Sequence, residues 1–211
     1  MSLRRRRSAA LIALAGATVT VAAARAGVTH RGRGAVHYDG PPIAHTGGFG
    51  EPTCRVCHQG QPLNAAGGTL RIEGLPRRYE PGRTYELAVV LRRDGMGRAG
   101  FELSARLMRG GSQAGALEAT DQRARVVPDS VTAVQYAEQT REGCSVSGPE
   151  ARWTVRWRAP VQTGEGGGSG GGSSDVLIHV AANAANYDDS PLGDFIYAGE
   201  WRVGGPAAAS H

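Results

Sequence analysis

Cys54-Arg55-Val56-Cys57-His58 is the segment whose residue types and spacing could do chemistry. Two thiols two residues apart, followed at once by an imidazole, form the C-x-x-C-H pattern of c-type haem attachment: the thiols add across the two vinyl groups and His58 reaches the iron from the proximal side. The order matters geometrically, because thioether bonds fix the porphyrin edge and a ligand directly after the second cysteine can fold under the ring. The chain holds only three Cys and six His, so chance does not readily supply three fixed positions in five residues. Three alternatives use the same residues. A Cys54–Cys57 disulfide would staple almost nothing, and a redox-active pair would be expected in a βαβ context. A structural zinc needs four ligands, and His45 would have to be the fourth, at an unusual spacing. A coincidental pair of thiols is the third.

A low-spin electron-transfer haem needs a second axial ligand, and His37, His45, His179, Met96 and Met108 are the candidates. Met96 lies in the turn Asp94-Gly95-Met96-Gly97, where an exposed thioether has no packing reason to be. His45 lies nine residues before Cys54 on a Gly-rich segment able to loop over the haem face. His45 and Met96 stand level, and an open or water-bound position is the remaining alternative. Met108 and His179 fall within strand runs, where a side chain more often belongs to the core. Arg55 could reach a haem propionate or stay solvated.

The other reactive types carry less. Cys144 is the odd thiol, either a small loop residue or an intermolecular partner. Asp188, Asp189 and Asp194 with Asn183 and Asn186 offer Ca²⁺-type oxygens but no EF-hand spacing, so capping of their own turns is favoured. There is no phosphate loop or His-Glu-x-x-His, so an independent catalytic constellation is not expected.

The elements that must position the motif follow from composition and pattern. A chain of 211 residues is one ordinary domain, and its 32 Gly and 11 Pro argue against a helical bundle. The formal charge of +5 would invite a nucleic-acid reading, but residues 1–26 hold five of the 24 cationic residues and no acid. The remaining 19 arginines face 19 acids, so nucleic acid is not an expected partner. Arg4–Arg7, the apolar run Ala9–Ala24 and the small residues up to Ala26 read as a secretory signal spanning 1–26. An uncleaved anchor is the alternative, though sixteen residues rich in Ala, Thr and Gly are short for about 30 Å of hydrocarbon. The expected location is periplasmic or extracellular, at a membrane only if that helix is retained.

Residues 27–68 read as an extended arm carrying the haem motif. Period-two alternation then marks half-buried strands: Tyr85, Leu87, Val89 and Leu91; Phe101, Leu103, Ala105 and Leu107 against Glu102, Ser104 and Arg106; and Trp153, Val155 and Trp157. Val176–Val180 and Phe195–Val203 add two more segments, and Pro81-Gly82 and Asp94-Gly95 mark turns. The expectation is an all-β, antiparallel β-sandwich over 69–203. The Gly/Ser run 164–174 reads as a flexible loop within it, a domain boundary there being the alternative, and 204–211 as a disordered tail.

Several stretches together resemble the bacterial reelin-domain-like, "choice-of-anchor V" family over about residues 41–203. They are His45 to Cys54, Cys57-His58, Met96 before Ala99-Gly100-Phe101, Trp153 to Pro160, and Ala181 to Asn186 followed by Gly193 to Tyr197. The resemblance implies an exported sandwich of reelin or immunoglobulin-like kind, often with a C-x-x-C-H near the mature N-terminus and mostly without an assigned activity. The 164–174 loop is longer than the family's usual connection. Gln139-Thr140 stands where a His-Thr pair would be expected, so no His ligand is carried to that position.

The resulting expectation is one covalent haem c on Cys54 and Cys57, with His58 proximal and His45 or Met96 distal. The function is then electron transfer to a redox partner protein or to a membrane respiratory or photosynthetic complex. The alternative is a non-catalytic binding or assembly subunit of a cell-surface or membrane complex, with a structural or sensory haem.

Overall fold

The computed structural model describes residues 40–161 and 174–206. The signal segment 1–26, His37, nearly all of the 164–174 loop and the tail from 207 lie outside the described residues.

Among the described residues nine strands alternate with turns: β1 (Gly68–Glu73), β2 (Thr84–Arg93), β3 (Arg98–Leu107), β4 (Ala116–Ala119), β5 (Ala124–Pro128), β6 (Gln135–Gln139), β7 (Glu150–Arg158), β8 (Val176–Ala185) and β9 (Phe195–Val203). They form two antiparallel sheets, β1-β2-β7-β4 and β5-β6-β3-β8-β9. The period-two runs explain this directly, because one register of each strand supplies the apolar layer between the sheets. Leu87, Val89 and Leu91 of β2 and Trp153, Val155 and Trp157 of β7 meet Phe101, Leu103 and Ala105 of β3 and Ile178 and Val180 of β8. Phe101 stacks on Trp153 across the gap at 4.7 Å between centroids. Both indole N–H groups are satisfied, Trp153 by Gly143 O and Trp157 by Ala114 O. Gly82 and Gly95 adopt the positive φ that the expected turns require, 72° and 75°.

The larger sheet departs from the half-buried expectation. Glu102 and Ser104 are fully buried although they point away from the sandwich core. Antiparallel pairing aligns Glu102 with Glu138 of β6, and Ser104 with Tyr136 of β6 and His179 of β8. Residues from the arm cover this outer face. The arm there is not extended: Thr46 bridges Thr53, Gly47 N–H donates to Pro52 O, and positive φ at Gly47 and Gly50 closes the hairpin. Glu51 fixes it by accepting from Thr46, Tyr136 and Arg106. Gly48 sits so close to His179 that a Cβ there would fall 2.3 Å from the ring. Gly204 and Gly205, assigned by sequence to the tail, are held by Arg77 O and by Asp175.

Candidate functional site

The C-x-x-C-H segment opens with a single 3₁₀ turn, Cys54–Val56, capped by the Thr53 hydroxyl, which accepts from Arg55 N–H. Cys57 N–H and His58 N–H both donate to Cys54 O, at 3.2 and 2.9 Å. That turn sets both thiols and the imidazole against one cavity. The motif is also tied to the loop between β8 and β9: Gln59 N–H donates to Pro191 O and Gly193 N–H donates back to Gln59 O. This connection carries Asp194, the residue before β9, to His58.

The cavity measures about 390 Å³, inside the range of small-molecule sites. Its walls come from Pro41, Pro42 and His45 of the arm, the three motif side chains, the Ala99–Phe101 end of β3, Gln139, Cys144, and the end of β8 with the loop that follows. Arg98 brings a guanidinium to the wall and also donates to Tyr187 Oη at 2.8 Å.

His58 Nδ1 lies 2.7 Å from Asp194 Oδ2, and the Asp194 side chain is 1% exposed. Asn183 Nδ2 donates to the same oxygen at 3.2 Å, and Asn186 N–H to Oδ1 at 3.4 Å. Asn183 Oδ1 is buried without a hydrogen-bond partner. His45 is held by its backbone N–H, which donates to Glu102 Oε2 at 2.5 Å, and by its ring, whose Nδ1 lies 2.9 Å from Ile43 O. A carbonyl only accepts, so Nδ1 carries the ring proton and Nε2 keeps its lone pair.

Burial first, and then the nearby Glu102 carboxyl, push the Cys54 thiol up to about 12. A thiol-exchange cysteine needs the opposite, a lowered pKa that supplies thiolate, and the described cysteines are not in disulfides. The zinc alternative also loses support: among the described residues no group of three or more His, Cys, Asp or Glu is placed to hold a metal ion. A haem asks less of the chain, because its ring supplies four nitrogens and the protein one or two axial ligands.

The two distal candidates separate. Met96 is not an exposed loop thioether; it is buried at 8% exposure within the sandwich core and does not line the cavity. The Asp94-Gly95 turn returns the chain at the end of β2, so the next side chain enters the core. His45 does line the cavity. His179 lies under Phe49 with its Nε2 2.8 Å from Glu200, and Met108 sits half-buried in the turn after β3. Arg55 is exposed. Asn186 and Asp188 cap their own loop, Asp188 N–H donating to Asn186 Oδ1 and Ser190 N–H to Asp188 Oδ1. The Asn186 side-chain N–H, donating to Asp188 Oδ2, and then the Ser190 N–H hold the Asp188 carboxyl below its ordinary value.

Sequence reasoning missed Asp194, Asn183, Gln139 and Cys144 as members of one cavity. Gln139 instead uses its side-chain oxygen to accept from Phe101 N–H at 2.7 Å. The available signal was Asp194 standing directly before a strand, yet an Asp beside Gly193 reads equally well as a turn.

No protein-family model and no curated protein matches the chain. Among solved structures, the reelin-N domain of F-spondin is similar at 21% identity and a TM-score of 0.42, over 72% of this chain and 95% of that one. The human F-spondin reeler domain matches at 21% identity and a TM-score of 0.39, over 72% and 99%. A cohesin module of a Clostridium perfringens family 33 glycoside hydrolase matches at 8% and 0.41, over 65% and 94%. These likenesses carry no residue and no activity to this chain. The two facing antiparallel sheets establish by themselves that the protein is an antiparallel β-sandwich.

Proposed function

We propose that the chain is an exported electron carrier of the c-type cytochrome kind, with one haem bound covalently by Cys54 and Cys57. His58 is its proximal ligand and His45 its second axial ligand. The observation that supports this most is the convergence on one cavity of both thiols, His58, and a His45 ring whose Nε2 keeps its lone pair. The other wall groups suit the same occupant: β3 offers Ala99 and Phe101, and Arg98 offers a cation for a propionate.

When bound, the haem takes up and returns one electron. The chain's part is to keep water from the ring edge with the β3 wall and the arm, and to hold both imidazoles at fixed positions. A site closed on both sides changes geometry little on reduction, which suits transfer to a redox partner protein or membrane complex. Within this proposal the chain belongs with the bacterial reelin-domain-like exported proteins and works in the periplasm or at the cell surface.

Absorption spectra of the reduced holoprotein with and without carbon monoxide test the reading. The unmutated protein should be six-coordinate and slow to bind CO, and His45→Ala should bind CO rapidly while Met96→Ala does not. Rapid CO binding by the unmutated protein would overturn electron transfer in favour of a sensory or structural haem in a binding subunit.

A further inference from the structure

We infer that Asp194 is the positioning residue of this site: it holds His58 as the Nδ1–H tautomer, aims Nε2 at the cavity, and strengthens the imidazole as an electron donor. The inference deepens the haem reading, but its first half concerns the polypeptide alone.

The donors around the carboxylate decide the proton's place. Asp194 Oδ1 accepts Asn186 N–H and Oδ2 accepts Asn183 Nδ2–H. A carboxylate only accepts, so in the 2.7 Å contact Nδ1 of His58 carries the proton and donates. Asn183 Nδ2 lies 3.1 Å from Nδ1 and 3.4 Å from Nε2; with the proton on Nδ1 the amide can donate only to Nε2, and an occupant of the cavity would displace that long contact. The Asp194 side chain is 1% exposed and that of His58 32%, so the anion is shielded from water while the ring reaches outward. A buried carboxylate behind a ligating histidine fixes ring orientation and raises its basicity. Greater electron donation through Nε2 favours the oxidised state of a metal bound there.

The placement is built into the fold. Asn183 lies on β8 opposite Ile196 of β9, Asp194 immediately precedes β9, and the paired backbone of Gln59 and Gly193 brings the motif to them. The distant motif and the β8–β9 hairpin thus converge on one carboxylate.

Two measurements test the inference on the full chain. Nitrogen-15 correlation spectra of haem-free protein, at a pH where the ring is neutral, should show a proton on His58 Nδ1. Asp194→Ala should move that proton to Nε2, the form a solvated neutral histidine side chain prefers. If Asp194→Ala does not fold, the tautomer of the unmutated protein and the Asp194→Asn potential carry the test; Asp194→Asn keeps a side-chain oxygen as acceptor without the charge, so its tautomer should persist. In holoprotein, Asp194→Asn should favour the reduced form at least tenfold at a fixed potential, an upward shift of about 59 mV for one electron. An Nε2–H tautomer in the unmutated protein, or no change in folded Asp194→Ala, overturns the positioning role. An unchanged potential in Asp194→Asn holoprotein overturns the donor role. Absence of covalent haem would instead defeat the functional proposal while leaving the tautomer result intact.

Discussion

Replacing Glu102 by Gln should flatten the pH dependence of stability between about pH 4.5 and 8. Glu102 is buried beneath the arm beside Glu138, and its Oε1 and Glu138 Oε2 both lack hydrogen-bond partners. Burial raises its pKa from 4.5 to about 8, against the lowering effect of the His45 N–H bond and with help from Glu138 and Glu51. An acid whose folded pKa lies above its unfolded value binds a proton on folding, so the folded state loses stability as pH rises through that window. At about 1.4 kcal/mol per pH unit, the separation of 4.5 from about 8 sets a ceiling of about 5 kcal/mol on the loss. Glu138, also raised by burial though countered by Arg125, adds to it in the same direction. Exposed Glu73, Asp129 and Asp188 are lowered, so they act in a separate window below the ordinary carboxylate range. Glu102→Gln keeps an acceptor for His45 N–H and turns an amide towards Glu138. Urea unfolding of haem-free protein at a series of pH values reads the slope. The unmutated protein should weaken from pH 5 to 8, and Glu102→Gln should retain only the part due to Glu138. Stability that rises over this range, or an identical slope in the variant, would refute the reasoning.

Trp153→Ala removes a fully buried indole stacked on Phe101 and leaves Gly143 O with only the longer bond from the Arg123 guanidinium. It should cost about 3–5 kcal/mol in the same urea assay. Gly48→Ala would drive a methyl into the His179 ring and so lift the arm from β3 and β8. Limited proteolysis should then cut within residues 40–53 several-fold faster, with the sandwich intact by circular dichroism.

The sandwich was legible because its strands alternate cleanly: Trp153, Val155 and Trp157 face the core while Arg152, Thr154 and Arg156 do not. The same alternation misread β3. Glu102 and Ser104 look like a solvent face, and nothing local reveals that a distant hairpin closed by Gly47 and Gly50 covers them. The motif residues were legible as a contiguous pattern. Asp194 and Asn183 were not, because their meeting with His58 depends on the pairing of Gln59 with the β8–β9 loop, across more than 120 residues. The exposed thioether expected at Met96 is instead buried, for a local reason: in a four-residue turn, the direction of a side chain is set by the backbone and not by its neighbours' polarity.

The central claim is that Cys54 and Cys57 hold a haem. Intact-protein mass spectrometry after co-expression with a c-type haem attachment system measures this directly. The account predicts a chain heavier by one haem that stains for covalent haem, with the added mass lost in the Cys54→Ala, Cys57→Ala double variant. A colourless product of polypeptide mass alone would contradict it.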